Sequence, residues 1–200
     1  QKAELSTKTS REHIVHRAEP GFVSIAGGKY TTYRVMAKDA VDAAIPDLGG
    51  SVPESITKHI PILGAPGYQA FVNATERLSA ELGVSEESVT HLLNRYGSEL
   101  FKVGELIAED RSLGERLCST LPYLRAEIVY AASHEGAMSV VDVIARRTRI
   151  SFESGDYGRS VAGSVAELIA PVLGWSSEDR ARALEEFENF AVRESEATLA

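Results

Sequence analysis

The sequence predicts a mainly α-helical protein: a bundle of about seven helices preceded by one short strand and one helix. Three observations carry this. From about residue 67 onwards, apolar residues recur at three- and four-residue spacing. Each such stretch ends at a glycine or a proline. Upstream, a single short run, Phe22-Val23-Ser24-Ile25-Ala26, alternates as a half-buried strand does. Of the 200 residues 44% are hydrophobic and 25% charged, which suits a folded core and not a disordered tail.

The strand stops at Gly27-Gly28, and Lys29-Tyr30-Thr31-Thr32-Tyr33-Arg34 leads into a helix carrying Met36, Ala40, Val41 and Ala44. Thr31 or Thr32 is its candidate cap, and Pro46 with Gly49-Gly50 its stop. A lone strand leaves its edges unpaired, so the reading expects a sheet supplied from elsewhere. Residues 46–66 hold Pro46, Pro53, Pro61 and Pro66 among glycines and read as a linker between an N-terminal piece, 1–45, and a helical domain, 67–200.

In that domain the first helix runs from about Tyr68 to Leu82 and stops at Gly83. Ser85 caps the next, whose inner face is Val89, Leu92, Leu93 and Tyr96. Leu100, Val103, Ile107 and Ala108 mark a third. Beyond the break at Leu121-Pro122, Tyr123 to His134 places Leu124, Ile128 and Ala131 inward. Ser139 caps Val140 to Arg146. After the polar loop Ser154–Gly158 comes a helix with Val161, Val165, Leu168 and Ile169, ended by Gly174. Ser176 and Asp179 open the last, which carries Leu184, Phe187, Phe190 and Ala191.

Charge narrows the function. Net charge is −8, yet residues 1–38 carry seven Lys/Arg against three Glu. An acidic body argues against a nucleic-acid partner, while the basic N-terminal block suits a phosphate or carboxylate ligand or a solvated edge. No apolar run approaches the roughly 20 residues of a membrane-spanning helix. One cysteine, Cys118, excludes a disulfide framework and fits a reducing compartment. The polar N-terminal stretch lacks the features of a secretory signal, and without an initiator Met the chain reads as an excised piece.

Several motifs fail on inspection. His134-Glu135 would need a second histidine at position 138, which is Met138, and the five histidines are scattered, so no metal site is expected. No Gly-x-Ser-x-Gly elbow and no Gly-x-Gly-x-x-Gly fingerprint is present. Arg146-Arg147-Thr148-Arg149 fits cations at a helix C-terminus better than an anion site. The strand–Gly27-Gly28-Lys29–helix unit fits an ordinary connection. It also fits a backbone that a ligand approaches closely, with a helix N-terminus and a lysine facing negative charge.

The surrounding residues extend that unit. Ser10-Arg11-Glu12-His13 followed by Val23 to Arg34 closely resembles the end of the catalytic region of aerobic, FAD-dependent glycerol-3-phosphate dehydrogenases. Arg95-Tyr96-Gly97, Tyr123-Leu124-Arg125-Ala126-Glu127-Ile128, Ala145 to Arg149 and Leu173-Gly174-Trp175 resemble that family's C-terminal helical domain. The ordered series covers nearly the whole chain and lacks the family's N-terminal dinucleotide-binding segment.

The resemblance implies that Arg11 binds the substrate phosphate and that Lys29 is an active-site lysine near substrate and flavin. It implies that Gly27, Gly28 and the amides of Lys29, Tyr30 and Thr31 line the pyrimidine edge of FAD. Tyr30 stands where Trp or Leu is commoner in the motif. It further implies oxidation of glycerol 3-phosphate, a quinone as electron acceptor, and peripheral attachment to the inner face of the cytoplasmic membrane. A homodimer is among the assemblies it allows. The piece alone, lacking a pyrophosphate loop, is expected to be inactive and not to retain FAD. An oxygen-using oxidase shares the motif. On composition and periodicity alone, a freestanding helical interaction module with an incidental N-terminal strand is the better reading.

Overall fold

The computed structural model describes residues 12–199, which divide into two compact units meeting between Pro61 and Ile62. In the first unit, strands β1 (His13–Glu19) and β2 (Phe22–Gly27) form an antiparallel hairpin, with His13 opposite Gly27 and Glu19 opposite Phe22. The expected strand is therefore not alone. Pro20-Gly21 makes the tight turn, Gly21 supplying φ +81°, and the pairing slips between Arg17 and Glu19.

Helix α1 (Tyr33–Leu48) packs on the hairpin. His13 Nε2 meets Asp39 Oδ2 at 2.8 Å, and Asp47 takes a forked pair of bonds from Arg17 as well as the Gly21 amide at 2.9 Å. The Arg17 guanidinium and that amide hold the Asp47 carboxyl below the usual carboxylate range. The same clamp accounts for a departure from the expected helix end. Pro46 lies inside α1, and the helix continues to Leu48 because its last turn is anchored through Asp47. None of this unit's described residues before Pro61 is fully buried; Ile14, Phe22, Tyr33, Val41 and Leu48 are all more than half exposed. A hairpin and one helix are too few layers to close a core.

The second unit is helical. It contains α2 (Tyr68–Val72), α3 (Thr75–Leu82), α4 (Glu86–Tyr96), α5 (Leu100–Glu109), α6 (Arg125–Ser133), α7 (Ile150–Glu153), α8 (Arg159–Leu173) and α9 (Ser177–Leu199). The expected stops and caps are in place. Gly83 and Gly174 are left-handed at helix ends, the Ser88 amide donates to Ser85 Oγ at 3.1 Å, and Ser176 and Asp179 cap each other's amides. The segment Asp142–Arg147 is instead wound as a π-helix. There the Thr148 amide reaches the Val143 carbonyl five residues back, and its hydroxyl bonds the Val143 and Ile144 carbonyls. No helix among the described residues is long and apolar enough to cross a membrane.

Two apolar clusters fill this unit. Leu78, Val89, Leu92, Leu100, Val103 and Ile107 form one with Leu124, Ala126 and Tyr130; Val140, Ile144, Ile150, Val165, Ile169 and Phe187 form the other with Ile128 and Ala131. Helix α6 contributes to both and is the wall between them. Within it lies a carboxylate with no solvent exposure at all, Glu127. It accepts the Leu124 amide at 2.7 Å, His91 Nε2 at 3.0 Å and the Tyr96 hydroxyl at 3.1 Å. Arg95 Nε sits 3.3 Å away, off the hydrogen-bond axis, as a charge contact. Burial, with Glu127 alongside, pushes the Tyr96 phenol well above its ordinary value, so it stays a donor.

The Arg95 guanidinium is sandwiched near the Tyr96 and Tyr123 rings, 5.5 and 5.2 Å from their centroids, and donates to the Arg147 carbonyl. Arg147 Nε in turn donates to the Glu135 carbonyl at 2.8 Å, and Arg146 pairs with Asp142 one turn away. Gly97 closes this corner. A Cβ there would fall 2.0 Å from the Gly64 carbonyl oxygen, which already accepts the Ser98 amide at 2.8 Å.

Removing Glu127 leaves His91, Arg95 and Tyr96 facing an emptied polar hole. Glu127→Ala is expected to lower unfolding free energy by about 3–5 kcal/mol, measured by urea denaturation of the chain. Gly97→Ala, which must push two backbones apart, is expected to cost about 1–3 kcal/mol.

Two carboxylates predict opposite pH behaviour. Asp156, although partly buried, is held far below the usual range by Ser160, Ser154 and the Gly158 amide. Its folded pKa lies below its unfolded one, so its contribution is complete above about pH 4 and is lost as pH falls towards the folded value. Glu135 is raised by burial, against the pull of Arg95 and Arg147. It therefore destabilises the fold as pH rises past its unfolded value. Asp156→Asn should lower stability by about 1–2 kcal/mol at pH 7 and flatten the acid limb. Glu135→Gln should raise stability at pH 7 and be neutral near pH 4. Denaturation midpoints of both variants across pH 3–8 check this.

Candidate functional site

The turn singled out in the sequence lies wholly in the first unit. β2 ends at Gly27, and Gly27 and Gly28 both take positive φ, +79° and +82°. That conformation reverses the chain from strand to helix and would strain any residue with a Cβ. Space demands glycine too. A Cβ at Gly27 would lie 2.8 Å from the Glu12 carbonyl oxygen, and one at Gly28 would lie 2.5 Å from Met36 Sδ. Part of the glycine requirement is thus internal, set by the packing of strand against helix.

Tyr30–Thr32 form a single 3₁₀ turn that runs into α1. Thr32 closes it from behind: its amide and hydroxyl both donate to the Lys29 carbonyl, at 3.0 and 2.9 Å, and its Oγ1 accepts the Lys29 amide at 3.3 Å. The Lys29 amide is therefore occupied. The amides of Tyr30 and Thr31, at the open start of the turn, enter none of the described hydrogen bonds. Of the two expected caps, Thr32 occupies the N-cap position of α1, but its side chain caps no helix amide and bonds back to Lys29 instead.

Around this turn opens a cleft of about 440 Å³, lined by Ile25, Gly27, Gly28, Lys29, Tyr33 and Met36, with Tyr30, Ala37 and Ala40 completing it. Its floor is backbone and apolar side chain, and its charged element is the exposed Lys29. Tyr30 is 92% exposed, with its ring centroid 6.2 Å from that of Tyr33. The arrangement is a flat, open edge that can receive a planar, partly polar group. The amides of Tyr30 and Thr31, which enter none of the described hydrogen bonds, belong to the same turn, and a positive charge stands at Lys29. Gly27, Gly28, Lys29, Tyr30 and Thr31 are brought together; Arg11 lies outside the described residues.

The motifs picked out downstream occupy a different position. Arg95-Tyr96-Gly97, Tyr123 to Ile128 and Arg147 converge on Glu127 in the interior of the second unit. What the sequence reading missed was Glu127 itself. The available signal was a glutamate three residues after Leu124 and four before Ala131, on the face that carries both.

Residues 55–180 match the family model described as the C-terminal domain of alpha-glycerophosphate oxidase. Over 87% of its length the chain is 48% identical to glycerol-3-phosphate dehydrogenase 2 of Mycobacterium tuberculosis, covering 30% of that protein. It is 35% identical over 94% of its length to the mitochondrial glycerol-3-phosphate dehydrogenase SDP6 of Arabidopsis thaliana, covering 32% of it. Among solved structures, the glycerol-3-phosphate dehydrogenase of Bacillus halodurans complexed with FAD superposes with a TM-score of 0.71 at 27% identity. That match covers 89% of this chain and 36% of that one. The chain thus spans about a third of the length of the relatives it matches. On these grounds the chain belongs to the glycerol-3-phosphate oxidase/dehydrogenase family and carries its C-terminal domain.

Proposed function

We propose that this chain is the C-terminal portion of a flavoenzyme that oxidises sn-glycerol 3-phosphate to dihydroxyacetone phosphate and passes the electrons to a quinone. The observation that carries the reading is the 48% identity to a glycerol-3-phosphate dehydrogenase, which extends over both units. In this reading residues 1–45 end the FAD- and substrate-binding domain, 46–66 connect, and 67–200 form a helical cap. The exposed apolar hairpin and α1 face fit a piece whose core is completed by further chain. The enzyme works peripherally on the inner face of the cytoplasmic membrane.

The open turn fits one edge of a flavin ring, because two glycines keep side chains clear of it and two amides there have no described acceptor. Bound FAD would supply hydride acceptance, taking the C2 hydrogen with its electron pair while the C2 hydroxyl proton passes to solvent, so that a ketone is left. Gly27 and Gly28 hold the backbone close to the ring edge. The amides of Tyr30 and Thr31, the positive end of α1 and the Lys29 ammonium oppose negative charge as it develops there. Arg11 grips the substrate phosphate through charge-assisted hydrogen bonds.

A second reading, an oxidase that delivers the electrons to oxygen, is favoured by the description of the matching family model. Peroxide formation against reduction of a soluble quinone, measured on the complete enzyme, separates the two.

In the complete enzyme Arg11→Ala is expected to lower kcat/KM by about 10–100-fold, chiefly through KM, because the phosphate does not react. Lys29→Ala should act mainly on kcat. Near-native kinetics in both variants with flavin fully bound would overturn these two roles. The 200-residue chain mixed with FAD and dialysed should keep no flavin absorbance and show no turnover.

A further inference from the structure

Two carboxylates of α1 tie that helix to β1. The imidazole of His13 donates through Nε2 to Asp39 Oδ2 at 2.8 Å, where the strand starts, and Arg17 clasps Asp47 further along it. On the strand the ties are four residues apart, about 13 Å at a strand's rise; on the helix they are eight apart, about 12 Å at a helix's rise. The spacings match, so both ties close at once with strand and helix running side by side.

The two ties secure different things. Asp47 also takes the Gly21 amide and so holds the Pro20-Gly21 end of the hairpin, away from the flavin turn. The His13 tie lies at the opposite end, against the glycine pair. His13 is the cross-strand partner of Gly27, and a Cβ at Gly28 would come 3.2 Å from His13 Cβ. A Cβ at Gly27 would come 2.8 Å from the Glu12 carbonyl oxygen. The chain at Glu12 and His13 therefore packs directly on the turn that carries Lys29, and Arg11 is the next residue back. The start of a strand frays unless it is held, and here the hold is a side chain only 18% exposed. Neither His13 nor Asp39 lines the cleft at the turn, so the pair works from beside it.

We propose that His13 and Asp39 are positioning residues for the reaction assigned above, on which reading this inference rests. They hold the start of β1, and with it the phosphate grip of Arg11, in register with the Lys29 turn. The substrate is held at its phosphate by Arg11 and reacts at C2 beside Lys29, so slack between the two moves C2 off the flavin. Misplacement by about 1 Å can cost on the order of 10²-fold in rate. A merely structural tie would lower stability or flavin content without regard to the phosphate.

The complete flavoenzyme with FAD bound provides the test, through kcat and KM for glycerol 3-phosphate and the flavin content of each variant. His13→Ala should keep its flavin and lower kcat/KM about tenfold, chiefly through KM. Asp39→Ala should do the same, and the double variant should be no worse than either. His13→Gln, whose amide can donate to Asp39 from nearly the position of Nε2, should recover to within about threefold of the parent. In an Arg11→Ala background, His13→Ala should change kcat/KM by less than about twofold, because no phosphate grip is left to place. Arg17→Gln, which loosens the other end of the hairpin, should instead multiply with Arg11→Ala. Near-native kinetics in His13→Ala and Asp39→Ala would overturn the proposal, as would His13→Ala and Arg11→Ala effects that multiply in full. Loss of flavin from His13→Ala, Asp39→Ala and His13→Gln alike would overturn it too, making the pair a support of the cofactor site. A parent enzyme that does not oxidise glycerol 3-phosphate refutes the functional reading itself. A parent that does, with Arg11→Ala near-native, refutes the role of Arg11, and either result removes the proposal with it.

Discussion

The helical unit depends on one buried carboxylate. Glu127 lies in the wall between two apolar clusters, and everything polar nearby is arranged to satisfy it. It accepts from α4 through His91 and Tyr96, caps its own helix through the Leu124 amide, and faces the Arg95 charge. An isolated carboxylate would not tolerate that depth, so the partners are obligatory. The consequence is positional. Three donors and one charge converging from α4 and the start of α6 leave those elements one mutual placement. Arg95 then extends the constraint to the π-helical segment by donating to the Arg147 carbonyl.

Apolar packing alone is less exacting, because the hydrophobic effect is non-directional. A polar group that must find its donors cannot slip by a residue without leaving them unpaired. Gly97 serves the same end from the backbone side, since the approach of the Gly64 carbonyl leaves no room for a side chain. The three motifs are thus one device seen at three places in the chain.

Much of this fold was legible because its signals are local. Ser85, Gly83, Gly174 and Ser176 act where their chemistry places them, and the alternation in Phe22–Ala26 does mark a strand. What escaped was set by contacts distant in sequence. β1 carries Ile14, Val15 and Ala18 among His13, His16, Arg17 and Glu19, without a clean alternation, so its strand character comes from pairing with β2 across Pro20-Gly21. Pro46 fails to end α1 because Arg17 and Gly21, more than 20 residues upstream, hold Asp47. The π-helix follows from the Thr148 hydroxyl competing for carbonyls, which no periodicity reveals. At the candidate site the glycines and Lys29 were readable. The reason for Gly28, the Met36 side chain filling the space of its missing Cβ, was not.

The two units therefore differ in what their recurring residues do. In the first, with no fully buried side chain described, the turn after the glycine pair has two amides that enter none of the described hydrogen bonds and an exposed lysine. In the second, arginines, tyrosines and a glutamate that resemble a reactive constellation spend their hydrogen-bonding capacity on one another. A guanidinium already sandwiched between two phenol rings and bonded to a carbonyl has little left for a ligand. Motif density in a chain such as this one marks where the backbone must be fixed, while chemistry is to be sought where donors remain unspent.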